Sequence, residues 1–422
     1  MEKNDLPESW AYVSLSTIAK INPKKPSKDE YSDNTLVSFV PMKSVEALTG
    51  KINLNKIRKC GEVRKGYTYF ENNDILFAKI TPCMENGKIA IADELENGMG
   101  FGSTEFHVIR LKDKINPKFY FHYLIQDVFR NKAQHKMKGT AGQLRVSSDY
   151  LKDGLIPLPP LNEQKRIVEK IEELFSIIDD LMIVFQENIH KLSLFKTSFL
   201  ISMFSQSFET LPLIDVSEKI TDGEHLKPIF IDSGVPFLSA KDLLASGISF
   251  SNTKFISEFD AKKFRTKCDP KLGDVLIVSR GNVGRTCIVD VDTPFCLLGS
   301  VILLRPNEKL STKFLTYFLK STSTLRKLVK ISSSTVQGAI YLRDLKHLQI
   351  PIPSMDKQNQ ISDEIDYVFS ILNKHEIIFT NLIQFLPKIK NTILKQAFEG
   401  KLVPQDPSDE PASELLKRIK NQ

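Results

Sequence analysis

Two stretches of the chain alternate apolar residues at intervals of four and three, the heptad signature of a helix with one buried seam. The first seam runs Ile167, Ile171, Leu174, Ile178, Leu181, Phe185, Asn188, Leu192, Phe195, Phe199. The second runs Ile361, Ile365, Val368, Leu372, His375, Phe379, Leu382, Leu386, Ile389, Ile393. Nine of ten positions are apolar in each, although only 41% of the chain is hydrophobic. Two long helices are therefore predicted, and each narrow seam needs a partner. The nearest partner is the other seam. Asn188 and His375 each interrupt a seam and read as a polar pair that fixes register. Pro387 lies inside the second helix and predicts a kink near residues 383–387, because its ring removes one backbone hydrogen bond.

Outside these helices the pattern is shorter and mixed. Strand-like runs occur at Leu36–Val40, Asp74–Ala78, Lys88–Ile91 and Phe106–Ile109, then at Val275–Val278, Thr286–Val289 and Val301–Leu304. Asn86-Gly87 lies between two of these runs and signals a hairpin turn. Helical stretches follow near Lys118–Asn131 and Lys313–Lys330.

The chain repeats itself. Pro157-Leu-Pro-Pro-Leu-Asn-Glu-Gln-Lys-Arg-Ile167 returns 194 positions later as Pro351-Ile-Pro-Ser-Met-Asp-Lys-Gln-Asn-Gln-Ile361. At the same offset Ile171 matches Ile365, Phe175 matches Phe369, Leu200 matches Leu394 and Phe204 matches Phe398. Upstream the match is weaker: Lys118-Phe119 returns as Lys313-Phe314, and Asp74-Ile-Leu76 as Asp274-Val-Leu276. Each half is thus a globular domain followed by a helix. The expected fold is α+β: two similar mixed α/β domains joined by two long helices forming an antiparallel coiled coil. The segments are 1–156 (first domain), 157–206 (first helix), 207–350 (second domain), 351–400 (second helix) and 401–422 (C-terminal tail). Thirty-odd helical residues at 1.5 Å each make a rod of about 50 Å, able to set a distance between two domains.

Composition narrows the function class. The chain of 422 residues carries 58 Lys+Arg against 51 Asp+Glu, a net charge of +7 that suits a nucleic-acid partner without requiring one. The polar start Met1–Asp5 opens no signal peptide, and no apolar run reaches the length of a membrane span. Cys60, Cys83, Cys268, Cys287 and Cys296 contain no Cys-x-x-Cys and read as reduced thiols of a cytoplasmic protein.

Several loops combine basic, amide and hydroxyl groups, the mixture that meets phosphates and base edges. In the first domain these are Lys79–Thr81 and Gly139–Ser147. In the second they are Thr221–His225, Ser279–Arg285 and Ser332–Gly338. Arginine can grip guanine with two hydrogen bonds, and glutamine or asparagine can do the same for adenine. Motifs of catalysis are missing. Gly281-Asn-Val-Gly284 lacks the Gly-Lys-Ser/Thr of a phosphate loop, the Asn/Asp-Pro-Pro-aromatic motif of an amino-methyltransferase does not occur, and neither does His-Glu-x-x-His. Asp74 and Asp274 recur, each at the start of a strand, and read as structural. No catalytic and no metal-binding residue is assigned. A fused methyltransferase-nuclease would need the missing motifs; a coiled-coil scaffold with no nucleic-acid role would not need the loops.

These features resemble the specificity subunit of type I restriction-modification enzymes. The resemblance covers nearly the whole chain and is carried best by Ile156-Pro-Leu-Pro-Pro-Leu-Asn-Glu-Gln-Lys-Arg-Ile-Val168 and Ile393-Leu-Lys-Gln-Ala-Phe-Glu-Gly-Lys-Leu-Val-Pro404. Leu6-Pro-Glu-Ser-Trp10, Asp74-Ile-Leu-Phe-Ala-Lys-Ile-Thr-Pro82 and Gly102-Ser-Thr-Glu-Phe106 agree with it. The second copy departs at Ser354-Met355 and Lys357, which leaves the helix intact.

The resemblance implies two target recognition domains, each reading half of a bipartite site on double-stranded DNA, in an inverted arrangement. It implies that the helices set the spacer and dock two methyltransferase (M) subunits. Those subunits would bring S-adenosylmethionine and the adenine-methylating site, and a translocating nuclease (restriction, R) subunit can join them; this chain would bind no cofactor itself. Half-sites one turn apart are about 34 Å centre to centre, within reach of the helical rod. The DNA contacts carried over to loop positions are Lys79, Thr81, Gln143 and Arg145, then Arg280, Asn282, Arg285 and Gln337.

Overall fold

In the computed structural model, residues 6–27, 30–112, 115–140, 142–226, 228–244, 247–333 and 338–420 are described. The chain forms two compact units, Met1–Val184 with Leu382–Gln422, and Phe185–Asn381. The units do not follow the linear segments, because each long helix contributes one part to each unit. The helices span Leu161–Met203 and Met355–Phe398. The second continues as α-helix through Pro387.

The first unit is built on a four-stranded antiparallel sheet in the order 19–21, 106–111, 75–78, 89–91. A second, mixed sheet has the order 57–59, 36–40, 99–102, 68–71. The strand entering the domain, Ala11–Ser14, pairs with Leu155–Leu158, the strand that leads into the first long helix. The predicted hairpin forms between 75–78 and 89–91, closed by residues 79–88, with Gly87 at φ +67°. A left-handed conformation there suits a residue without Cβ.

The second unit repeats this plan. Its antiparallel sheet runs 217–222, 301–306, 275–278, 286–288, and its mixed sheet 254–256, 235–238, 296–297. Thr210–Pro212 pairs with Gln349–Pro351 just before the second long helix. Strand 275–278 shows why the central strands read as unbroken apolar runs. Val275 and Ile277 pack toward Phe314, Ile361 and Ile365, whereas Leu276 and Val278 pack toward Leu243, Phe295 and Leu297. Both faces are buried, so no polar alternation survives.

The helical stretches expected at 118–131 and 313–330 are each broken in two, as Pro117–Leu124 with Asp127–His135 and Thr312–Lys320 with Thr322–Ser333. At the second break Ser321 adopts extended backbone, and its hydroxyl bonds to the Phe318 carbonyl at 2.7 Å. A serine side chain competes there with the helical ladder.

The long helices run antiparallel within each unit. In the first, Glu163 and Arg166 at the helix start meet Gln405 and Asp409, just beyond the end of the second helix, whereas Asp179 further along meets Lys390 within it, so the contacts run back along the chain as the helix advances. In the second, Phe185 stacks on Phe379 at 5.6 Å, while Leu200 shares a core with Ile361 and Ile365. The expected seam slips by one residue in its middle. Leu181, Phe195, His375 and Leu382 are exposed, and the half-buried Met182, Lys196, Glu376 and Ile383 take their places. A helix of 3.6 residues per turn drifts about 20° per heptad from a 3.5-residue repeat, which accounts for the slip. The expected polar pair is corrected accordingly: His375 is exposed, and its Nδ1 lies 2.8 Å from the Ile371 carbonyl of its own helix.

In both units the same ion pair ties the domain to its helix. Lys118 reaches Glu172 and Lys313 reaches Asp366, each at 2.8 Å. Asp74 and Asp274 are likewise equivalent. Arg110 grips Asp74 at 2.8 and 2.7 Å, and Arg305 grips Asp274 at 2.8 and 2.8 Å. Their structural role follows from this geometry. All five cysteines are free thiols. Burial pushes Cys268 up to about 12, and Cys287 and Cys296 up to about 11, which keeps them as protonated core residues. Among the described residues no helix is long and apolar enough to cross a membrane.

Candidate nucleic-acid interface

In the first domain the loop leaving strand 75–78 is zipped to the hairpin formed by Lys138–Thr140 and Gln143–Arg145. The Thr81 amide donates to the Leu144 carbonyl at 3.0 Å, and the Val146 amide to the Lys79 carbonyl at 2.9 Å. Ile80 and Arg145 form an isolated bridge. Lys79, Thr81, Gln143 and Arg145, separated by some sixty residues in sequence, therefore share one platform.

Their side chains have different employment. The Thr81 hydroxyl donates to the Gly142 carbonyl and accepts from the Leu144 amide, both at 3.2 Å, so it closes the platform. Arg145 is bound in two-pronged fashion by Glu105, which raises the guanidinium pKa and holds the Glu105 carboxyl below its usual range. Gln143 is exposed and Lys79 half-buried. These two present the polar groups best placed for a ligand. Beneath them His107 bonds through Nε2 to the Val146 carbonyl at 2.9 Å. Burial lowers its pKa against that bond.

The second domain builds the same platform from different residues. The Ile340 amide donates to the Ser279 carbonyl at 2.9 Å, and Arg280 bridges Ala339. Residues 279–285 form a tight loop in which the Gly284 amide returns to the Val278 carbonyl at 2.9 Å. Arg280 and Asn282 are exposed. Arg285 turns back, its Nη1 donating to the Leu243 carbonyl at 2.8 Å, and so braces the loop. Gln337 lies outside the described residues.

Beside Arg280 opens a cleft of about 330 Å³ lined by Asp222, His225, Gly299, Tyr341 and Arg343. Asp222 accepts from Lys267 at 2.7 Å and pairs with the His225 Nε2 at 2.6 Å. Burial opposes ionisation of Asp222, but these two partners outweigh it and hold the carboxyl below its ordinary value. The imidazole of His225 lies so close over Gly299 that a Cβ there would come within 2.5 Å of Nδ1. The expectation from sequence included the Thr221–His225 loop but missed Tyr341 and Arg343. The fold is what brings them beside Arg280.

A further cavity of about 710 Å³ in the first unit is lined by Asp93, Lys118, Phe121, His122, Glu172 and Phe175, among others, and contains none of the loop residues above. Among the described residues no group of His, Cys, Asp and Glu side chains is arranged to hold a metal ion.

The family model described as "Type I restriction modification DNA specificity domain" matches the chain twice, at residues 7–202 and 206–379. The chain is similar to the EcoAI specificity subunit of Escherichia coli, 40% identical over 178 residues, covering 42% of this chain and 30% of that one. It is also similar to the EcoBI specificity subunit of Escherichia coli, 25% identical over 350 residues, covering 73% and 72% of the two chains. The match thus spans about a third of the EcoAI relative's length. The crystal structure of the HsdS subunit from Thermoanaerobacter tengcongensis shares the fold, with a TM-score of 0.69 at 24% identity over 95% of this chain and 99% of that one.

Proposed function

The chain belongs to the type I restriction-modification DNA specificity family, and on that footing we propose that it is the sequence-reading subunit of a DNA-methylating complex. Each domain reads one half of a bipartite site on double-stranded DNA. The observation that carries this reading is the shared platform. Bridges Ile80–Arg145 and Arg280–Ala339 hold two loops together in the same way, yet the side chains they display differ. One frame with two sets of displayed groups suits two half-sites of different sequence.

The side chains free to face DNA are Lys79 and Gln143 in the first domain and Arg280 and Asn282 in the second. Thr81, Arg145 and Arg285 brace the loops that present them. Gln337, carried over by position, completes the second set in this reading.

The long helices dock two methyltransferase subunits and set the spacer between half-sites. Exposed apolar side chains support this docking. Ile183 (54%) and Phe385 (53%) stand out in the first unit, and Tyr367 (67%) and Ile377 (60%) in the second. Apolar side chains left open on both helices are available to a partner subunit. Methyl transfer from S-adenosylmethionine belongs to the partner subunits, and a restriction subunit joins the same assembly. The complex works in the cytoplasm.

The test is single-molecule mapping of adenine methylation in cells carrying this chain with its methyltransferase subunit, against cells lacking this chain alone. A bipartite methylated motif that vanishes with the chain is the expected result. An unchanged pattern in an active system would sink the proposal.

A further inference from the structure

The two platforms share one equivalent hydrogen bond and one equivalent bridge, which together set the residue correspondence between them. Val146 donates to Lys79 and Ile340 donates to Ser279, both at 2.9 Å, so Val146 and Ile340 are equivalent. Counting on from them, Ser147 matches Tyr341, Asp149 matches Arg343 and Leu151 matches Leu345. The inward positions keep their chemistry. Val146 and Ile340 are buried, as are Leu151 and Leu345. The outward positions do not: serine becomes tyrosine, aspartate becomes arginine, and at the bridge Ile80 becomes Arg280. Packing dictates the first set; in the second, Ser147 caps a short helix by accepting from the Tyr150 amide at 3.2 Å, a bond that Tyr341 does not make, so the second domain has given up that local role at this position.

In the second domain these outward residues converge. Arg280, Tyr341 and Arg343 all line the 330 Å³ cleft. The Arg343 side chain is 82% exposed, and its Nε donates to Asp344 at 3.0 Å, which leaves the outer nitrogens of the guanidinium available. The acid in the same lining, Asp222, is already engaged by Lys267 and His225. The cleft therefore offers two guanidinium groups and a phenol, with its carboxylate neutralised.

We infer that Tyr341 and Arg343, together with Arg280, determine the sequence read by the second domain, and that its half-site contains guanine. The inference rests on the DNA-specificity function proposed above. A guanidinium meets N7 and O6 of guanine with two parallel hydrogen bonds, and the fixed fork of arginine makes the contact selective. The phenol can donate to or accept from the neighbouring base edge.

The experiment uses the full chain in complex with its methyltransferase subunits. Arg343→Asp and Tyr341→Ser install the residues that the first domain carries at the equivalent positions; Arg343→Lys keeps the charge and removes the fork. Both side chains line the cleft, and the intact first half-site reports folding. Methylated motifs are mapped for each variant, and binding is measured on native and half-site-scrambled duplexes over a salt series.

Arg343→Asp and Tyr341→Ser should each relax or change the second half-site, at one or two positions. Arg343→Asp should lower affinity for the native site by roughly tenfold or more. Arg343→Lys should retain binding but lose its preference for guanine. An unchanged motif would overturn the inference, as would equal weakening on every sequence with a salt slope reduced by about one, the mark of a phosphate contact. If the unaltered complex shows no motif that depends on this chain, the specificity function itself fails, and the inference with it.

Discussion

Arg145 holds Glu105 through two hydrogen bonds of 2.9 Å, one from Nε and one from Nη2. A guanidinium so engaged braces the hairpin that displays Gln143, and its Nη1 also donates to the Gln143 carbonyl at 3.2 Å. Arg145→Ala and Glu105→Ala should then weaken recognition of the first half-site by similar, severalfold factors. The double variant should be no worse than either single one, because both remove the same brace. Affinity of the purified complex for duplexes with either half-site scrambled would decide the matter. Additive losses, or a Glu105→Ala variant that binds better, would make Arg145 a direct reader instead.

His122 predicts an acid-sensitive first unit. Its ring packs against Phe121 and Phe175, and its Nδ1 is buried without a hydrogen-bond partner among the described residues. Burial lowers the pKa from 6.5 to about 4. Between those values the unfolded chain takes up a proton that the folded chain refuses, so stability falls as pH drops from 6.5 towards 4. The loss reaches about 3 kcal/mol below that window. Phenylalanine fits the same aromatic surroundings and does not titrate. Denaturant midpoints of His122→Phe between pH 4 and 7 should lie on a flatter line than those of the native chain, and an unchanged slope would assign the acid sensitivity elsewhere.

Gln164 and Gln358 are the repeated glutamines of the two Pro-x-Pro motifs, and both are fully buried. Gln358 donates to the carbonyls of Lys309 and Pro353 at 2.8 and 3.0 Å and accepts from the Ser311 amide at 2.8 Å. Gln164 donates to Pro159 at 3.0 Å and accepts from Asn116 at 3.3 Å. Each pins the start of a long helix to its own domain. Leucine at either site strands two or more backbone groups in the interior, at about 1–3 kcal/mol for each. Gln358→Leu, with the larger set of partners, should lower the thermal midpoint more than Gln164→Leu. The reverse order would show that the number of stranded backbone groups does not set the loss.

Those glutamines also show what was legible in the sequence. The repeat was visible because residues such as Gln164 and Gln358 hold backbone groups that any copy of the fold must satisfy. The motifs Leu6–Trp10, Ile156–Val168 and Ile393–Pro404 stood out for a related reason. Trp10 donates to Glu163 at 2.9 Å, Gln405 donates to the other Glu163 oxygen at 2.6 Å, and a Cβ on Gly400 would strike Pro7 at 2.4 Å. They converge around the buried Trp10 and Glu163, so their residue types are tightly constrained. The helix breaks at Gln126 and Ser321 were not legible, since apolar periodicity continues across them. The heptad pattern placed Leu181 and Phe195 on the seam because spacing alone does not record the drift of a straight helix. Least legible was the platform. Bringing Ser279 to Ile340, or Lys79 to Val146, depends on sheet topology, and a basic loop looks the same in sequence whether its arginine braces the fold, as Arg285 does, or stays free, as Arg280 does.

That difference between bracing and free side chains yields the last prediction. Gln143 and Arg280 are exposed on equivalent platforms in different domains, and among the described residues they share no hydrogen-bond partner. If each reads a base edge, Gln143→Ala should relax the first half-site alone and Arg280→Ala the second alone. Each change should cost about 1–3 kcal/mol of discrimination at its own position. The double variant should show the sum, as unconnected sites do. Losing neutral Gln143 should leave the salt dependence of binding unaltered, because it releases no counterion, whereas losing Arg280 lowers the slope only if the group also touches a phosphate. Motif mapping and a salt titration of each variant complex measure both quantities. Equal weakening of the two half-sites by either single change would refute base reading at that residue, and would move the platform from reading the sequence to gripping the backbone.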